Sequence, residues 1–213
     1  VKKLNMQINQ TKGFLFTFCG LDGCGKTTIL TQLKRDLEKE YDVILTKQPT
    51  DIVRKSDIFR TYMDNPNHDA YDYRSLSLLA ASDRLQHVNK VIKPKMDAGN
   101  IVISDRYFYS CLANLRARGF AQDQWIYEIA KLILKPDIAF FFDVSVETAV
   151  KRVRSREKEK DRYIDMQLQY KLRDEYIKIC KANDGVMIST EMPIKDCYYI
   201  VKRKVERVLK NEC

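Results

Sequence analysis

At 213 residues the chain has room for one α/β domain with a full core, or at most two small ones. Its 45% hydrophobic and 31% charged content is that of a globular protein, and no run reaches the length of a membrane-spanning helix. The formal charge of +9 points to anionic partners, either phosphates or nucleic acid. Six cysteines, at positions 19, 24, 111, 180, 197 and 213, lack paired metal-ligand spacing. They argue against a zinc site or a disulfide frame and for a reduced, cytoplasmic setting. Residues 1–11 are polar and basic without an apolar stretch, so no signal peptide is expected.

The first predicted strand is Phe14-Leu15-Phe16-Thr17-Phe18-Cys19, which has the length and aromatic content of a buried strand. Gly20-Leu21-Asp22-Gly23-Cys24-Gly25-Lys26-Thr27-Thr28 follows, and Ile29, Leu30, Leu33 and Leu37 then recur at helical spacing. A glycine-rich turn between a strand and a helix N-terminus is the setting that the phosphate-loop pattern G-x-x-x-x-G-K-[ST] requires. Gly20, Gly23 and Gly25 let backbone N–H groups face inward as an anion nest, and the helix dipole adds positive potential. Lys26 can then reach the β- and γ-phosphates, Thr27 offers its hydroxyl to Mg²⁺, and Thr28 stands beside them in the ATP-binding loop. The plain alternative, a tight turn with an exposed lysine, does not account for the strand and helix on either side. The loop predicts binding of a nucleoside triphosphate.

Residues 41–46 read as a second strand ending in Lys47-Gln48-Pro49-Thr50. Asp51 can cap a short amphipathic helix, which Asp64-Asn65-Pro66-Asn67 breaks. A longer helix is expected over 73–96, with Leu79, Leu85, Val88 and Ile92 facing inward and Gly99 just past its end. Ile101-Val102-Ile103-Ser104 forms a short apolar strand that delivers Asp105-Arg106-Tyr107 at its C-terminal end. Helices follow to about residue 134, then a strand over 138–142, a basic segment over 151–162 and a helix through Cys180. A strand over 185–188 and a helix over 196–209 close the chain, with no repeat or linker in it. Strands alternating with helices imply a parallel sheet covered on both faces, with ligands beyond the strand C-termini. The prediction is a single three-layer α/β domain over 1–213, of P-loop NTPase type, with a five-stranded parallel sheet.

Asp105 ends an apolar strand, where a second-motif aspartate of phosphate-loop proteins supports Mg²⁺ directly or through water. Its other possible role is to cap the next helix. Arg106 beside it offers a bidentate fork for a phosphate. The segment 151–162 holds seven basic and three acidic residues, with Arg152, Arg154 and Arg156 in alternation. It reads either as a solvated helix end or, as favoured here, as a lid that supplies arginines to a transferring phosphoryl group. Arg84 alone suggests an exposed salt bridge to Asp83 or Asp105. His68 and His87 stand isolated and receive no role.

With these residues the chain resembles the thymidylate kinase family, within the nucleoside monophosphate kinase branch of phosphate-loop proteins. The likeness runs nearly end to end: the loop with Asp22, Lys47-Gln48-Pro49 where bacterial members carry Arg-Glu-Pro, and Leu78-Leu79-Ala80-Ala81-Ser82-Asp83-Arg84. It continues through Asp105-Arg106-Tyr107, the basic segment with Asp161-Arg162-Tyr163, and Leu172-Arg173 with Tyr176 beyond. Gly23 stands where some members carry a loop arginine, so the chain is similar to the bacterial type whose arginine comes from the lid. The resemblance implies that Asp22 bonds the acceptor sugar's 3′-hydroxyl, Arg84 contacts the base and Arg106 the acceptor phosphate. It also implies that Arg152 lies against the adenine of ATP, that Arg156 reaches the transferring phosphoryl group, and that the protein is a homodimer.

Three positions depart from the family. Ala80 replaces a phenylalanine that stacks on thymine, Asn114 replaces an aromatic near the sugar 2′ position, and Gln48 replaces a glutamate near the metal. A base stack on an aromatic contributes roughly 1–3 kcal/mol where tested, so its loss bears on which base is accepted. The expected reaction is ATP- and Mg²⁺-dependent phosphorylation of a nucleoside monophosphate, with dTMP first and another monophosphate as the alternative. Lys26, Arg106 and Arg156 would be catalytic. A nucleic-acid-binding ATPase is less consistent, since much of the basic charge lies in one segment and no nucleic-acid module is present.

Overall fold

The computed structural model describes residues 1–64, 66 and 70–210. It begins with β1 (Phe14–Gly20), α1 (Lys26–Leu37), β2 (Val43–Lys47), α2 (Asp51–Arg54) and α3 (Asp57–Asp64). α4 (Tyr73–His87) runs through a π-turn (Val88–Ile92) into α5 (Lys93–Asp97), and β3 (Ile101–Asp105) leads to α6 (Phe108–Ala117) and α7 (Trp125–Ala130). Then come β4 (Ile138–Asp143), α8 (Val146–Arg154), a 3₁₀ turn (Glu157–Glu159), α9 (Met166–Ala182), β5 (Val186–Ser189) and α10 (Ile194–Leu209).

The five strands are all parallel, in the order β2-β3-β1-β4-β5. β1 and β4 are apolar on both faces because they lie in the middle of a covered sheet, and Phe18 stacks on Phe140 at 5.1 Å. The edge strands β2 and β5 alternate instead, exposing Leu45 and Met187. α1 packs with α10, and α6 with α9, to flank the sheet. Asp72, Ser145 and Asp165 cap α4, α8 and α9 by accepting from the N–H three residues on. The register pairs Phe18 with Asp105 and Lys47 with Asp105, so the loop after β1 and the ends of β2 and β3 meet at one edge.

Several sequence expectations shift. The helix expected over 73–96 is continuous but not uniform: Lys93 N–H bonds the Val88 carbonyl five residues back. The wider turn accommodates Pro94, which has no N–H to give. Leu79 does not face inward, being 39% exposed, because the inner arc of α4 is taken by Leu76, Ser77, Arg84 and His87. The second strand starts at Val43 rather than Tyr41, whose ring is exposed. Thr50, not Asp51, occupies the N-cap position of α2, and Asp51 pairs with Lys55 at 2.7 Å. Asn65, Asn67, His68 and Cys213 lie outside the described residues. The other five cysteines are free thiols. No helix among the described residues is long and apolar enough to cross a membrane.

Candidate active site

The glycine loop closes over the start of α1. Gly25 is its N-cap, with φ 90°, a left-handed conformation that a side chain would strain. Gly23, at φ 82°, faces α8 so closely that a Cβ would lie 2.1 Å from the Ala149 carbonyl oxygen. Lys26 is buried, and its ammonium donates to the carbonyls of Gly20 (3.1 Å) and Leu21 (2.8 Å). Thr27 and Thr28 are exposed on the first turn of the helix, where backbone N–H groups have no helical partner.

Asp22 sits between two arginines from distant parts of the chain. Arg106 Nη2 donates to one of its oxygens at 2.6 Å, and Arg162 Nη2 to the other at 3.1 Å. Desolvation opposes ionisation, but Arg106, Lys26 and Arg162 outweigh it and hold the Asp22 carboxyl well below the usual carboxylate range. Arg106 is fixed at several points. Its backbone has φ 67°, its N–H bonds the Phe18 carbonyl at 2.8 Å, and its carbonyl accepts from Ser104 Oγ at 2.7 Å. A non-glycine residue in that conformation carries strain of order 1–3 kcal/mol and persists only where its surroundings over-determine it. Arg106 Nη1 also donates to Tyr176 Oη (2.9 Å), which donates to Ser110 Oγ (3.0 Å), and Asn114 Nδ2 donates to the Ser110 carbonyl (2.9 Å). One connected network thus runs from Asp22 to Asn114.

The opposite wall is built by α4 and the end of β2. Arg84 is 3% exposed and forms no salt bridge among the described residues, so the exposed pair expected from sequence is not what folds. Its guanidinium instead donates to the Ala80 carbonyl (2.8 Å) and the Tyr107 carbonyl (3.4 Å), which aims it along the inside of α4. Asp83 accepts from Thr50 N–H at 2.8 Å and from its hydroxyl, pinning the chain after β2. Asp105 lies 3.5 Å from the Lys47 ammonium. Its Oδ1 is buried with no hydrogen-bond partner among the described residues, and so is Gln48 Oε1.

These walls enclose a cleft of about 640 Å³. Of the predicted residues, Gly20, Asp22, Ala80, Arg84, Arg106, Asn114 and Arg156 line it. Arg156 makes no ion pair among the described residues. Gly23, Gly25, Lys26, Thr27, Thr28, Asp105 and Arg152 do not line it. Arg152 turns instead to the Thr190 carbonyl at 3.2 Å, in the loop leading to Ile194, which approaches Gly25. The arrangement therefore has two sides, with the glycine loop between them. Sequence reasoning gave no role to Tyr176, His87 or Arg162. Tyr176 and Arg162 were among the residues that carry the family resemblance, but only the fold, through α9, brings Tyr176 to Arg106. His87 follows Arg84 by three residues, one helical turn, which is a usable sign of a shared face.

No cluster of three or more His, Cys, Asp or Glu suited to a metal exists among the described residues. Asp105, with its unpartnered Oδ1, and the exposed Thr27 hydroxyl offer hard oxygen donors. That sparse set fits Mg²⁺, which is commonly held by one or two protein oxygens together with phosphates and water.

A family model described as thymidylate kinase matches residues 18–198. A protein named probable thymidylate kinase from Thermococcus kodakarensis is 39% identical over 179 residues, covering 81% of this chain and 87% of its own. A second, from Thermococcus gammatolerans, is 33% identical and covers 92% of this chain and 97% of its own. A thymidylate kinase from Mycoplasma capricolum subsp. capricolum is 34% identical, covering 92% and 96%.

Proposed function

The chain belongs to the thymidylate kinase family, and from that premise we propose that it transfers the γ-phosphoryl group of ATP to the phosphate of dTMP, giving dTDP and ADP. The observation that supports it best is the pairing of a phosphate loop with Arg106, a guanidinium fixed at the end of the neighbouring strand and turned into the cleft. The acceptor oxygen is already anionic near neutral pH, so no strong base is required. What the site must do is bring two mutually repelling anions into line and neutralise their charge. In this reading Arg106 holds the acceptor phosphate, and Asp22, kept ionised, accepts from the 3′-hydroxyl of the sugar. Lys26 leaves its loop carbonyls for the β- and γ-phosphates, and Arg156 reaches the group in flight. Arg152 and the loop at Thr190 take the adenine side, and Arg84 faces the base.

Mg²⁺ would be held by Thr27 and Asp105, supplying positive charge across the β- and γ-phosphates. The segment 151–162 is read as a lid that excludes water when it closes, since water would otherwise accept the phosphoryl group. A cytoplasmic homodimer completes the reading by family analogy.

A second reading keeps the reaction and changes the base, because Ala80 leaves the cleft wall without an aromatic at that position. Asn114 spends Nδ2 on Ser110, and its oxygen could accept from a 2′-hydroxyl. The test is an ADP-release assay with ATP and Mg²⁺ against dTMP, dUMP, dGMP, GMP, UMP and CMP. The expected result is preference for dTMP. Preference for another monophosphate moves the function to that base, and turnover with none overturns the kinase reading.

A further inference from the structure

Gln48 is fully buried at the end of β2, and its backbone N–H bonds the Asp105 carbonyl at 3.0 Å. Its carboxamide has two ends of opposite hydrogen-bonding sense. One end lies 3.0 Å (Nε2) from His87 Nδ1, while Oε1 has no partner among the described residues. His87 is also buried, and its Nε2 lies 2.9 Å from Thr46 Oγ1. Gln48 itself lines the cleft.

We infer that His87 is a positioning residue, which fixes the Gln48 carboxamide so that its oxygen rather than its NH₂ faces the cleft. A neutral imidazole carries one ring proton. An amide NH₂ can only donate, so Nδ1 is the acceptor, the proton sits on Nε2, and the Thr46 hydroxyl accepts it. Burial favours that neutral state and lowers the imidazole's proton affinity, with Arg84 acting in the same sense and Asp83 opposing. Nε2 lies against His87, so the unpartnered Oε1 is the end turned away from it. Gln48 then offers a neutral acceptor where the family places a glutamate.

An acceptor buried without a donor calls for a donor on the bound reactants. Resting on the kinase reading, that donor is either a water held by the metal or an N–H of the acceptor base. Losing such a bond costs about 1.4 kcal/mol, or about tenfold.

The tautomer is read first, by ¹⁵N NMR of the full chain labelled at histidine. The chain has 2 histidines, so His87→Asn assigns the signal. Expected is Nε2–H with an unprotonated Nδ1; the Nδ1–H tautomer overturns the inference whether or not the chain is a kinase. Kinetics and calorimetric dTMP titration then compare His87→Leu, Gln48→Met, their double variant and His87→Asn, with circular dichroism confirming the fold. The two single variants should share a loss of about tenfold, and the double should lose no more than either. His87→Asn keeps an acceptor near the Nδ1 position and should recover most of the loss. A loss in dTMP affinity without metal assigns the donor to the base, and a rise in Mg²⁺ half-saturation alone assigns it to the metal's water. Wild-type behaviour of His87→Leu on both readouts, or additive losses in the double variant, overturns the inference.

Discussion

The two sources of positive charge around the cleft are built in opposite ways. Arg106 is held by a strained backbone, a bond to β1, an ion pair and a tyrosine from α9, with its side chain only 17% exposed. The segment 151–162 is mostly exposed, and apart from Arg162, which also reaches Asp22 at 3.1 Å, its ion pairs are short-range: Lys160 with Glu157, and Arg162 with Glu159. Exposed pairs of that kind contribute 0 to about 1 kcal/mol and rearrange at little cost. In the proposed reaction the contrast fits two different tasks. A group that recognises a ground-state phosphate gains from being fixed beforehand, whereas a group needed only during transfer must be able to arrive late.

The largest effect should come from Arg106→Ala, which breaks the fixed side. We expect kcat/KM for dTMP to fall by about a thousandfold or more, with a clear loss of dTMP affinity by calorimetry. Arg156→Ala should act differently, lowering kcat by about a hundredfold while dTMP binding stays close to wild type. Equal losses of dTMP affinity in the two variants would erase the distinction between the walls. The smallest effect concerns stability. The His87 ring binds a proton less readily when folded than at its ordinary value of 6.5, so the unfolded chain takes up the proton first. Its contribution is complete above pH 6.5 and is lost as pH falls towards the lower folded value. Thermal melts from pH 7.5 to 5.5 should therefore show a decline that His87→Asn flattens.

Much of this molecule was legible in its sequence wherever a requirement is local. The loop pattern needs only adjacent glycines and a lysine, and an apolar run such as 138–142 can hardly be anything but a buried strand. Legibility failed where a side chain answers to distant partners. Arg84 taken apart from the family resemblance reads as one half of an exposed salt bridge, yet the fold turns it inward, where it donates to the carbonyls of Ala80 and Tyr107. Leu79 reads as core, but the inner arc of α4 is occupied by Leu76, Ser77, Arg84 and His87. Tyr176 is 70 residues from Arg106 along the chain, and no spacing rule could have joined them.

The contact between Gly23 and α8 has a consequence for how such enzymes can diverge. With the Ala149 carbonyl 2.1 Å from where a Cβ would stand, position 23 has no room for an arginine while α8 stays where it is. If the 151–162 segment supplies the charge as proposed, moving it to position 23 would require α8, which carries the start of that segment, to retreat first. The two solutions are therefore separated by a backbone displacement as well as a codon change. A lineage that takes one of them has a steric reason to keep it.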